Sequence, residues 1–384
     1  MTQTQTGIHR LSKESSLQAL LKGNCALLCH NASVTADFTS SIEVIQKIVG
    51  KRLTKLFGPQ HGLFATVQDN MIETEDFVHP HFGIKTYSLY SQTRIPTEEM
   101  LQDIDTFIID LQDVGTRVYT YISTLNLICK QIEHSPIELI VLDRPNPVGG
   151  EMMEGNILES EFQSFVGQFE FPMRHAMTMG EVALWIKKYH TPNLKLKVVS
   201  MEDWSRTMSF NETELPWILP SPNLPTSDGA ICFPGTVLFE GTNISEGRGT
   251  TRALEIIGHP KLKPFTFLDH LKSLKEFKEL KGFILRPHYF MPTFQKHAEI
   301  ECGGFQIHVT NEKVFRPWTL SQLLIRELFY VLETNFQWKE GPYEYEYHRP
   351  PIDFINGSEK IRHWVEKRKN IEELLQLSDQ SKDF

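Results

Sequence analysis

The feature that most constrains the fold is a set of short apolar runs that recur through the first 200 residues. Each run is almost continuously apolar rather than alternating with polar residues, as in CALLC and IELIVL. Such runs are typical of parallel strands that helices cover on both faces. We therefore predict five strands, at residues 25–29, 53–57, 106–111, 137–142 and 194–199.

The segments between these runs have helical periodicity. Between Val118 and Ile132 the apolar residues recur on one helical face. A second helix is predicted over residues 182–189, behind a capping box formed by Thr178 and Glu181. Strands that alternate with helices predict an α/β domain with a mainly parallel sheet and helices on both faces.

A proline-rich segment, residues 215–235, marks the predicted domain boundary. Its five prolines neither continue a helix nor suit a central strand. We predict an N-terminal domain over residues 1–225 and a smaller α+β domain over residues 226–384. In the second domain the pattern predicts helices near 251–257, 267–280 and 320–332, a helical tail from 358, and a strand pair at 283–286 and 304–310.

Charge and composition exclude several classes of protein. The 384 residues carry 39 basic and 48 acidic side chains, and the basic residues are scattered, so no nucleic-acid partner is expected. No apolar stretch is long enough to span a bilayer, and residues 1–22 lack the pattern of a signal peptide. We therefore expect a cytoplasmic protein, or a periplasmic one if a leader has been removed. Five scattered cysteines are expected to be buried free thiols, and neither a metal site nor a cofactor is expected.

Polar side chains follow four of the predicted strands at their carboxyl ends. Ligands bind outside the carboxyl ends of the strands in open α/β sheets, so these residues form the first candidate site. They are His30 and Asn31, then Gln60 and His61, then Asp110, Gln112 and Asp113, and finally Asp143, Arg144 and Asn146, with Arg174 and His175 expected to reach the same edge from the loop before Thr178.

Several of these residues also have a structural interpretation. Asp110 and Asp113 suit the position of caps for the helix that follows them. Asp143 and Arg144 suit a structural ion pair. Tyr121 lies on the apolar face of its helix, which favours core packing over contact with a ligand.

A second candidate site is the glycine-rich segment FEGTNISEGRGT, residues 239–250. It contains Glu240, Glu246 and Arg248 among three glycines, and a helix is predicted to follow it directly. Backbone N–H groups at a helix start, together with a guanidinium, bind anions. The structural alternative is a tight loop in which Glu246 and Arg248 form an ion pair.

Longer blocks of the sequence resemble the bacterial exo-β-N-acetylmuramidase family, and the resemblance covers nearly the whole chain. The blocks are FGPQHGLF (57–64), DLQDVGTRVYTYISTL (110–125), VLDRPNPVGG (141–150), PMRHAMTMGE (172–181), PSPNLPT (220–226) and FEGTNISEGRGTTR (239–252), with PTFQKH (292–297) and CGGFQIHVT (302–310) after them. The resemblance implies a glycoside hydrolase that removes terminal N-acetylmuramic acid from the non-reducing end of peptidoglycan fragments. It also implies a Rossmann-like N-terminal domain and a smaller C-terminal domain that closes the active-site cleft.

The chain departs from this family at a position implied to be catalytic. Many members have P-E-H-G where residues 59–62 are P-Q-H-G, and an amide cannot exchange a proton near neutral pH. Other carboxylates would then act, Glu240 or Glu246 as acid and Asp110 or Asp113 as base or stabiliser, unless the N-acetyl group of the substrate is itself the nucleophile. The residues expected to bind the sugar are Gln60, His61, Arg117, Tyr121, Asp143, Arg174, His175, Asn223, Asn243 and Arg248.

Two further functions stay open on the sequence alone. Gln60 is compatible with a muropeptide-binding or sensing protein that has lost catalysis. A different hydrolase or transferase that acts on another acidic amino sugar would also use Arg248 to bind the carboxylate.

Overall fold

The structure of the chain is a computed structural model that describes residues 2–68 and 71–379. Its contacts divide the chain into two compact units. The first unit contains residues 1–115, 119–151 and 176–222, and the second contains residues 116–118, 152–175 and 223–384. Two short segments of the N-terminal half therefore belong to the second unit.

The first unit is an α/β structure built on a seven-stranded sheet. Its strands are β1 (Cys25–Cys29), β2 (Leu53–Gly58), β3 (Phe77–Val78), β4 (Lys85–Ser88), β5 (Thr106–Asp110), β6 (Glu138–Leu142) and β7 (Leu196–Val199). Its helices are α1 (Gly7–Lys13), α2 (Ser15–Gln18), α3 (Ser41–Val49), α4 (Glu98–Leu101), α5 (Tyr121–Ile132) and α6 (Met179–Tyr189).

The strand order confirms the predicted fold class. The sheet has the order β3-β4-β2-β1-β5-β6-β7, and every pair is parallel except β3 with β4. All five predicted strands are present, with ends that differ by two residues at most. Because the strands are parallel, their carboxyl ends lie at one edge of the sheet, where Cys29 of β1 pairs with Asp110 of β5.

Both faces of the sheet are buried, as the continuous apolar runs predict. Leu27, Ile108 and Ile140 belong to one core cluster with apolar residues of α1 and α3. Their strand neighbours, such as Phe107 and Leu139, point to the opposite face and are fully buried as well. Helix α6 packs against α5 and against β6 and β7.

The starts of two helices in the first unit test the helix caps predicted from the sequence. Helix α6 has the predicted capping box, in which the Thr178 side chain accepts from Glu181 N–H and the Glu181 side chain accepts from Thr178 N–H. Helix α5 begins at Tyr121 after Thr120 and has no side-chain cap. The interpretation of Asp110 and Asp113 as its caps is therefore wrong.

The second unit combines helices with a small antiparallel sheet of order β8-β10-β9. Its strands are β8 (Ile256–His259), β9 (Phe283–Phe290) and β10 (Cys302–Val309). Its helices are α7 (Ser227–Thr236), α8 (Pro264–Ser273), α9 (Lys275–Glu279), α10 (Pro317–Leu332), α11 (Pro351–Asn356), α12 (Lys360–Glu366) and α13 (Ile371–Asp379). The predicted strand pair, the helix near 320–332 and the helical tail are confirmed.

Two predictions in this unit are wrong. No helix spans 251–257: the chain turns after Thr250 and enters β8, whose Gly258 lies directly opposite Gly304 of β10. The proline-rich segment also contains a helix, α7, because Thr226 caps its start by accepting from Gly229 N–H. Pro234 stands in the last turn of α7, where a proline removes only one helical hydrogen bond.

All five cysteines are buried free thiols, as predicted. Within residues 2–68 and 71–379, no helix combines the length and the apolar character needed to cross a membrane.

Candidate functional site

The carboxyl ends of the strands in the first unit hold a network of buried polar groups around His30. The ring Nε2 accepts from Gln112 N–H at 3.0 Å, and Nδ1 donates to Pro220 O at 3.2 Å. The Tyr121 hydroxyl donates to the same carbonyl at 2.8 Å. Tyr121 is thus held in the core, as its helical position indicates, and the sugar contact predicted for its hydroxyl is not supported.

His30 is held in its neutral form. Burial, and secondarily the positive charge of Arg144, lower the pKa of His30 from 6.5 to about 3. Only a neutral ring can accept from Gln112 N–H while donating to Pro220 O, so the geometry agrees with the direction of the shift.

Because His30 is buried in its neutral form, we expect the stability of the protein to depend on pH. Between pH 6.5 and about 3 the unfolded chain binds a proton that the folded chain does not, so the free energy of unfolding falls as the pH drops through this window. The slope from His30 is at most about 1.4 kcal/mol per pH unit. Denaturant unfolding at a series of pH values should show a shallower slope for His30→Gln, which keeps a donor and an acceptor but does not titrate. Equal slopes for the two proteins would contradict this role.

Gln60 lies in the turn that follows β2. Its Oε1 accepts from the Thr120 hydroxyl at 2.6 Å, and the side chain is 5% exposed. The turn needs a glycine at residue 58, because a Cβ there would lie 2.7 Å from Leu63 N. In the same turn, Nδ1 of His61 lies 2.7 Å from Val67 O.

Asp110 is a buried partner of an ion pair. Arg144 donates to its two oxygens from Nε at 2.5 Å and from Nη2 at 2.8 Å, and the Ser41 hydroxyl also donates to it. The residue is 0% exposed. This geometry ties β5 to α3 and to the segment after β6, and it does not support the predicted role of Asp110 as a base that contacts substrate.

Asp143 binds the start of α6 rather than Arg144. Its carboxylate accepts from the Thr178 hydroxyl at 2.9 Å and from Gly180 N–H at 2.8 Å. The Arg144 side chain pairs with Asp110, so the predicted Asp143–Arg144 side-chain pair is wrong. Burial raises the pKa of Asp143 to about 6. Its contacts are those of a residue that holds a helix start, and sugar binding by it stays a prediction.

Asp113 lies beside two tyrosines in the segment between β5 and α5. Its Oδ2 accepts from Gly115 N–H at 2.7 Å, and the residue is 6% exposed. Burial, with a smaller contribution from the Asp113 charge, raises the pKa values of Tyr119 and Tyr121. The rings of these tyrosines are in edge contact, 4.6 Å between centroids. Asp113 is therefore anchored by the backbone within a polar and aromatic environment.

In the second unit, the glycine-rich segment holds a buried network of charges. Arg248 donates to Glu240 Oε1, and its Nε lies 3.2 Å from Glu246 Oε1. The Tyr343 hydroxyl donates to Glu240 Oε2 at 2.9 Å. The Lys296 ammonium donates to Glu246 Oε2 at 2.8 Å. The structural alternative for this loop is therefore confirmed in its pairing of Glu246 with Arg248.

The charges around Glu246 bear on its predicted role as the general acid. Burial favours the neutral form of Glu246, but Lys296 and Arg248 outweigh it and lower the pKa of its carboxyl. A general acid needs a raised pKa, so the geometry does not support Glu246 as the proton donor. No helix starts directly after Thr250, where the chain turns and enters β8, so the predicted anion site at a helix start is also wrong.

Arg117 is a structural residue of the second unit. Its guanidinium donates to four backbone carbonyls, those of Asn156 at 2.8 Å, Phe171 at 2.7 Å, Ile355 at 3.1 Å and Asn356 at 2.7 Å. Burial lowers the pKa of Arg117 to about 9. The side chain is 0% exposed, so the sugar contact predicted for it is not supported.

The remaining predicted sugar-binding residues of the second unit are mostly buried. Arg174 lies with Nη1 3.1 Å from Met152 Sδ, and His175 packs against Phe171. Asn223 is buried. Asn243 donates to Asn335 O at 2.8 Å and accepts from Gln337 N–H at 3.0 Å, so its amide holds a turn. Direct sugar contacts by these residues stay predictions.

Two residues of these networks, Thr120 and Lys296, were not among the predicted site residues. Thr120 donates to Gln60, and Lys296 donates to Glu246 and to two backbone carbonyls. Thr120 falls within the family-like block DLQDVGTRVYTYISTL and Lys296 within PTFQKH, so a signal was present for both. Across the described parts of the chain, no group of three or more His, Cys, Asp or Glu side chains is arranged to hold a metal ion.

Comparison with known proteins identifies the family. The N-terminal model of exo-β-N-acetylmuramidase NamZ matches residues 25–228, and the C-terminal model matches residues 231–384. The chain belongs to the NamZ family. Within it, the peptidoglycan β-N-acetylmuramidase NamZ of Bacillus subtilis (strain 168) is 38% identical over 372 residues, which cover 97% of this chain and 86% of that protein.

Solved structures agree with the NamZ assignment at the level of the fold. The crystal structure of a DUF1343 family protein from Bacteroides fragilis NCTC 9343 matches with a TM-score of 0.86 and 28% identity, over 100% of this chain and 96% of that one. A second DUF1343 family protein of the same organism matches over the same shares of both chains, with a TM-score of 0.75 and 22% identity. These matches confirm the two-part α/β fold.

Proposed function

We propose that this protein is an exo-acting glycosidase that releases terminal N-acetylmuramic acid from the non-reducing end of peptidoglycan fragments. The observation that carries the proposal is the 38% identity along 97% of the chain to a protein named as a peptidoglycan β-N-acetylmuramidase. The buried polar network at the carboxyl ends of the strands supports it, because these ends are where ligands bind in an α/β sheet.

Asp113 is the carboxylate to which we assign the chemistry. Asp110 is buried in an ion pair with Arg144, and Asp143 holds the start of α6. Glu240 and Glu246 both pair with Arg248, and this pairing suits a role in shaping the glycine-rich loop. Asp113 accepts from Gly115 N–H and, like Asp143 and Glu240, is 6% exposed, so the assignment rests on the structural contacts of the other four carboxylates.

The proposed role of Asp113 is to stabilise positive charge in the transition state. Glycoside hydrolysis passes through an oxocarbenium-like transition state, and a carboxylate beside it lowers its energy. If the N-acetyl oxygen of the substrate attacks the anomeric carbon, the Asp113 carboxylate accepts a hydrogen bond from the amide N–H and orients it. If a water attacks instead, the same carboxylate accepts a proton from that water, and the departing oxygen takes its proton from solvent because Gln60 cannot supply one.

A chromogenic aryl β-N-acetylmuramide tests the proposed function directly. We expect the purified protein to release the aryl group from this compound and much more slowly from the matching β-N-acetylglucosaminide, which lacks the lactyl carboxylate. Absence of turnover of the muramide by the wild-type protein would remove the proposal.

A second candidate function, binding or sensing of muropeptides without hydrolysis, is favoured by Gln60. The amide at this position accepts a hydrogen bond from Thr120 but cannot donate a proton to a leaving group. Tight binding of N-acetylmuramic acid measured by calorimetry, without turnover of the chromogenic muramide, would support this function.

Gln60→Glu is expected to increase turnover. The carboxyl has the same shape as the amide and still accepts from Thr120, and the buried position would raise its pKa, as a proton donor requires. General acid catalysis contributes about 10²–10⁴-fold, so we expect kcat at pH 5–6 to rise at least about ten-fold.

Gln112→Glu is the matched control for this variant. Gln112 donates from Nε2 to Asp113 O at 2.8 Å and to Pro145 O at 2.9 Å, and a carboxylate loses both bonds. We expect this control to lose stability and to gain no activity. A Gln60→Glu protein that is no more active than Gln112→Glu would show that residue 60 does not limit proton transfer.

A further inference from the structure

A wide groove opens in the second unit beside the buried charge network. We call it the cationic groove, and its lining comes from residues 242–243, 295–296, 337–341 and 347–350. Its volume is about 1100 Å³. Pockets for drug-sized molecules usually have about 300–1,000 Å³, so the cationic groove has room for an extended ligand.

The cationic groove carries an excess of positive charge, although the chain as a whole has a net charge of −9. Lys339, His348 and Arg349 line it together with Lys296, and Glu340 is the one carboxylate among its lining residues. Burial lowers the pKa of Lys296, although the charge of Glu246 acts against this shift. The Lys296 charge is matched by Glu246, whose Oε2 lies 2.8 Å from the ammonium, so the exposed Lys339 and the partly exposed Arg349 are the cations of the cationic groove that an anion can reach.

Arg349 is the group in this lining best suited to bind a carboxylate. Its guanidinium lies over the ring of Phe162, 4.2 Å from the ring centroid, and this contact fixes the plane of the guanidinium. The nearest carboxylate, Glu161, is 3.7 Å away, beyond hydrogen-bond distance. Nη1 is buried and has no hydrogen-bond partner among the described residues, so a ligand in the cationic groove would contact the guanidinium through its other two nitrogens. A planar guanidinium in this state matches the two oxygens of a carboxylate.

The other lining residues suit a sugar. Tyr347 is 64% exposed, and Trp338 is half-buried with its Nε1 donating to Glu366 at 3.1 Å, which fixes the ring. Aromatic rings offer apolar faces on which sugar rings pack. Gln337 supplies an amide that both donates and accepts, as hydroxyl and acetamido groups require.

We propose that the cationic groove binds an anionic glycan, a chain of amino sugars with carboxylate substituents, through Lys339 and Arg349 for the carboxylates and Trp338 and Tyr347 for the sugar rings. The ligand class rests on the proposed function, because the N-acetylmuramic acid of peptidoglycan carries one lactyl carboxylate. The groove would hold a length of glycan strand and so favour polymeric fragments over a single sugar.

The test compares two tetrasaccharides that differ in charge. One is peptide-free GlcNAc–MurNAc–GlcNAc–MurNAc, whose terminal GlcNAc presents no substrate for release of muramic acid; the other is neutral chitotetraose. We expect calorimetry at low salt to give a Kd about ten-fold or more tighter for the anionic chain in the wild-type protein. The Lys339→Gln/Arg349→Gln protein should lose this preference. Lys261→Gln/Lys272→Gln, which removes the same charge from exposed positions of the same unit, should keep it.

Each alternative outcome overturns the inference. Equal Kd values for the two tetrasaccharides, or a preference that survives in the Lys339→Gln/Arg349→Gln protein, would exclude a carboxylate site in the groove. Binding of a free acidic stem peptide that this double variant abolishes, with no binding of the anionic glycan, would assign the groove to peptides. Hydrolysis of the chromogenic muramide is measured separately: turnover without glycan preference removes only this inference, and glycan preference without turnover removes only the proposed function.

Discussion

Arg117→Met is expected to lower the free energy of unfolding by about 3–5 kcal/mol. The guanidinium binds the carbonyls of Asn156, Phe171, Ile355 and Asn356 in the interior of the second unit. Methionine has a similar length but no donor, so four buried carbonyls would lose a hydrogen bond together. Each unsatisfied buried acceptor costs about 1–3 kcal/mol, partly offset because methionine removes the buried charge.

Thermal and denaturant unfolding measure this loss. For a unit of this size, 1 kcal/mol corresponds to about 2–4 °C, so the melting temperature should fall by about 6–20 °C. Arg252→Met is the matched control, since Arg252 is half-exposed and its contact with Glu255 is long, at 3.4 Å; its effect should stay within about 0.5 kcal/mol. Retained stability of Arg117→Met together with weaker muramide binding would restore the sugar contact predicted from the sequence.

The parallel sheet was predictable because its central strands have a recognisable local sequence pattern. β1, β5 and β6 are buried on both faces, and burial on both faces requires the continuous apolar runs that the sequence displays. Strand β4, with the sequence KTYS, has exposed and partly buried positions and no apolar run. The two-residue β3 forms the edge of the sheet and β4 lies next to it, and both were missed because strands at this side of the sheet do not require an apolar run.

The position of the polar residues was predictable, but their separate roles were not. Parallel strands bring Asp110, Asp113 and Asp143 to one edge whatever their chemistry. Whether a carboxylate there is reactive depends on partners distant in the chain: Arg144 neutralises Asp110 from 34 residues away, and Thr178 binds Asp143 from 35 residues away. The sequence close to Asp110 or Asp143 therefore does not indicate these partners.

The glycine-rich segment shows the opposite error, a local pattern that tertiary structure overrides. Residues after Thr250 read as a helix from the sequence, yet Ile256 and Ile257 pair with β10 as strand residues. β-Branched side chains fit a strand at least as well as a helix, so the pairing partner decides. The ion pair of Arg248 with Glu240 and Glu246 then closes the loop, where a helix start was expected to bind an anion.

Asp113→Asn is expected to have the largest effect on catalysis. Asparagine keeps an oxygen that accepts from Gly115 N–H, so the loop should hold its shape and the melting temperature should change little. The amide can neither stabilise developing positive charge as a carboxylate does nor accept a proton. We therefore expect kcat for the aryl muramide to fall by about 10²–10⁴-fold, with KM nearly unchanged.

Two comparison variants separate this role from a structural one. Asp110→Asn leaves Arg144 as a buried cation without its carboxylate, so it should lose about 3–5 kcal/mol of stability. Glu246→Gln removes one partner of Lys296 and Arg248, and it should likewise destabilise the protein more than it changes kcat in the folded fraction. Glu246→Gln could instead abolish turnover at unchanged melting temperature while Asp113→Asn stays active. That result would place the reacting carboxylate in the glycine-rich loop. Lys296 and Arg248 would then have to release an oxygen of Glu246 when substrate binds.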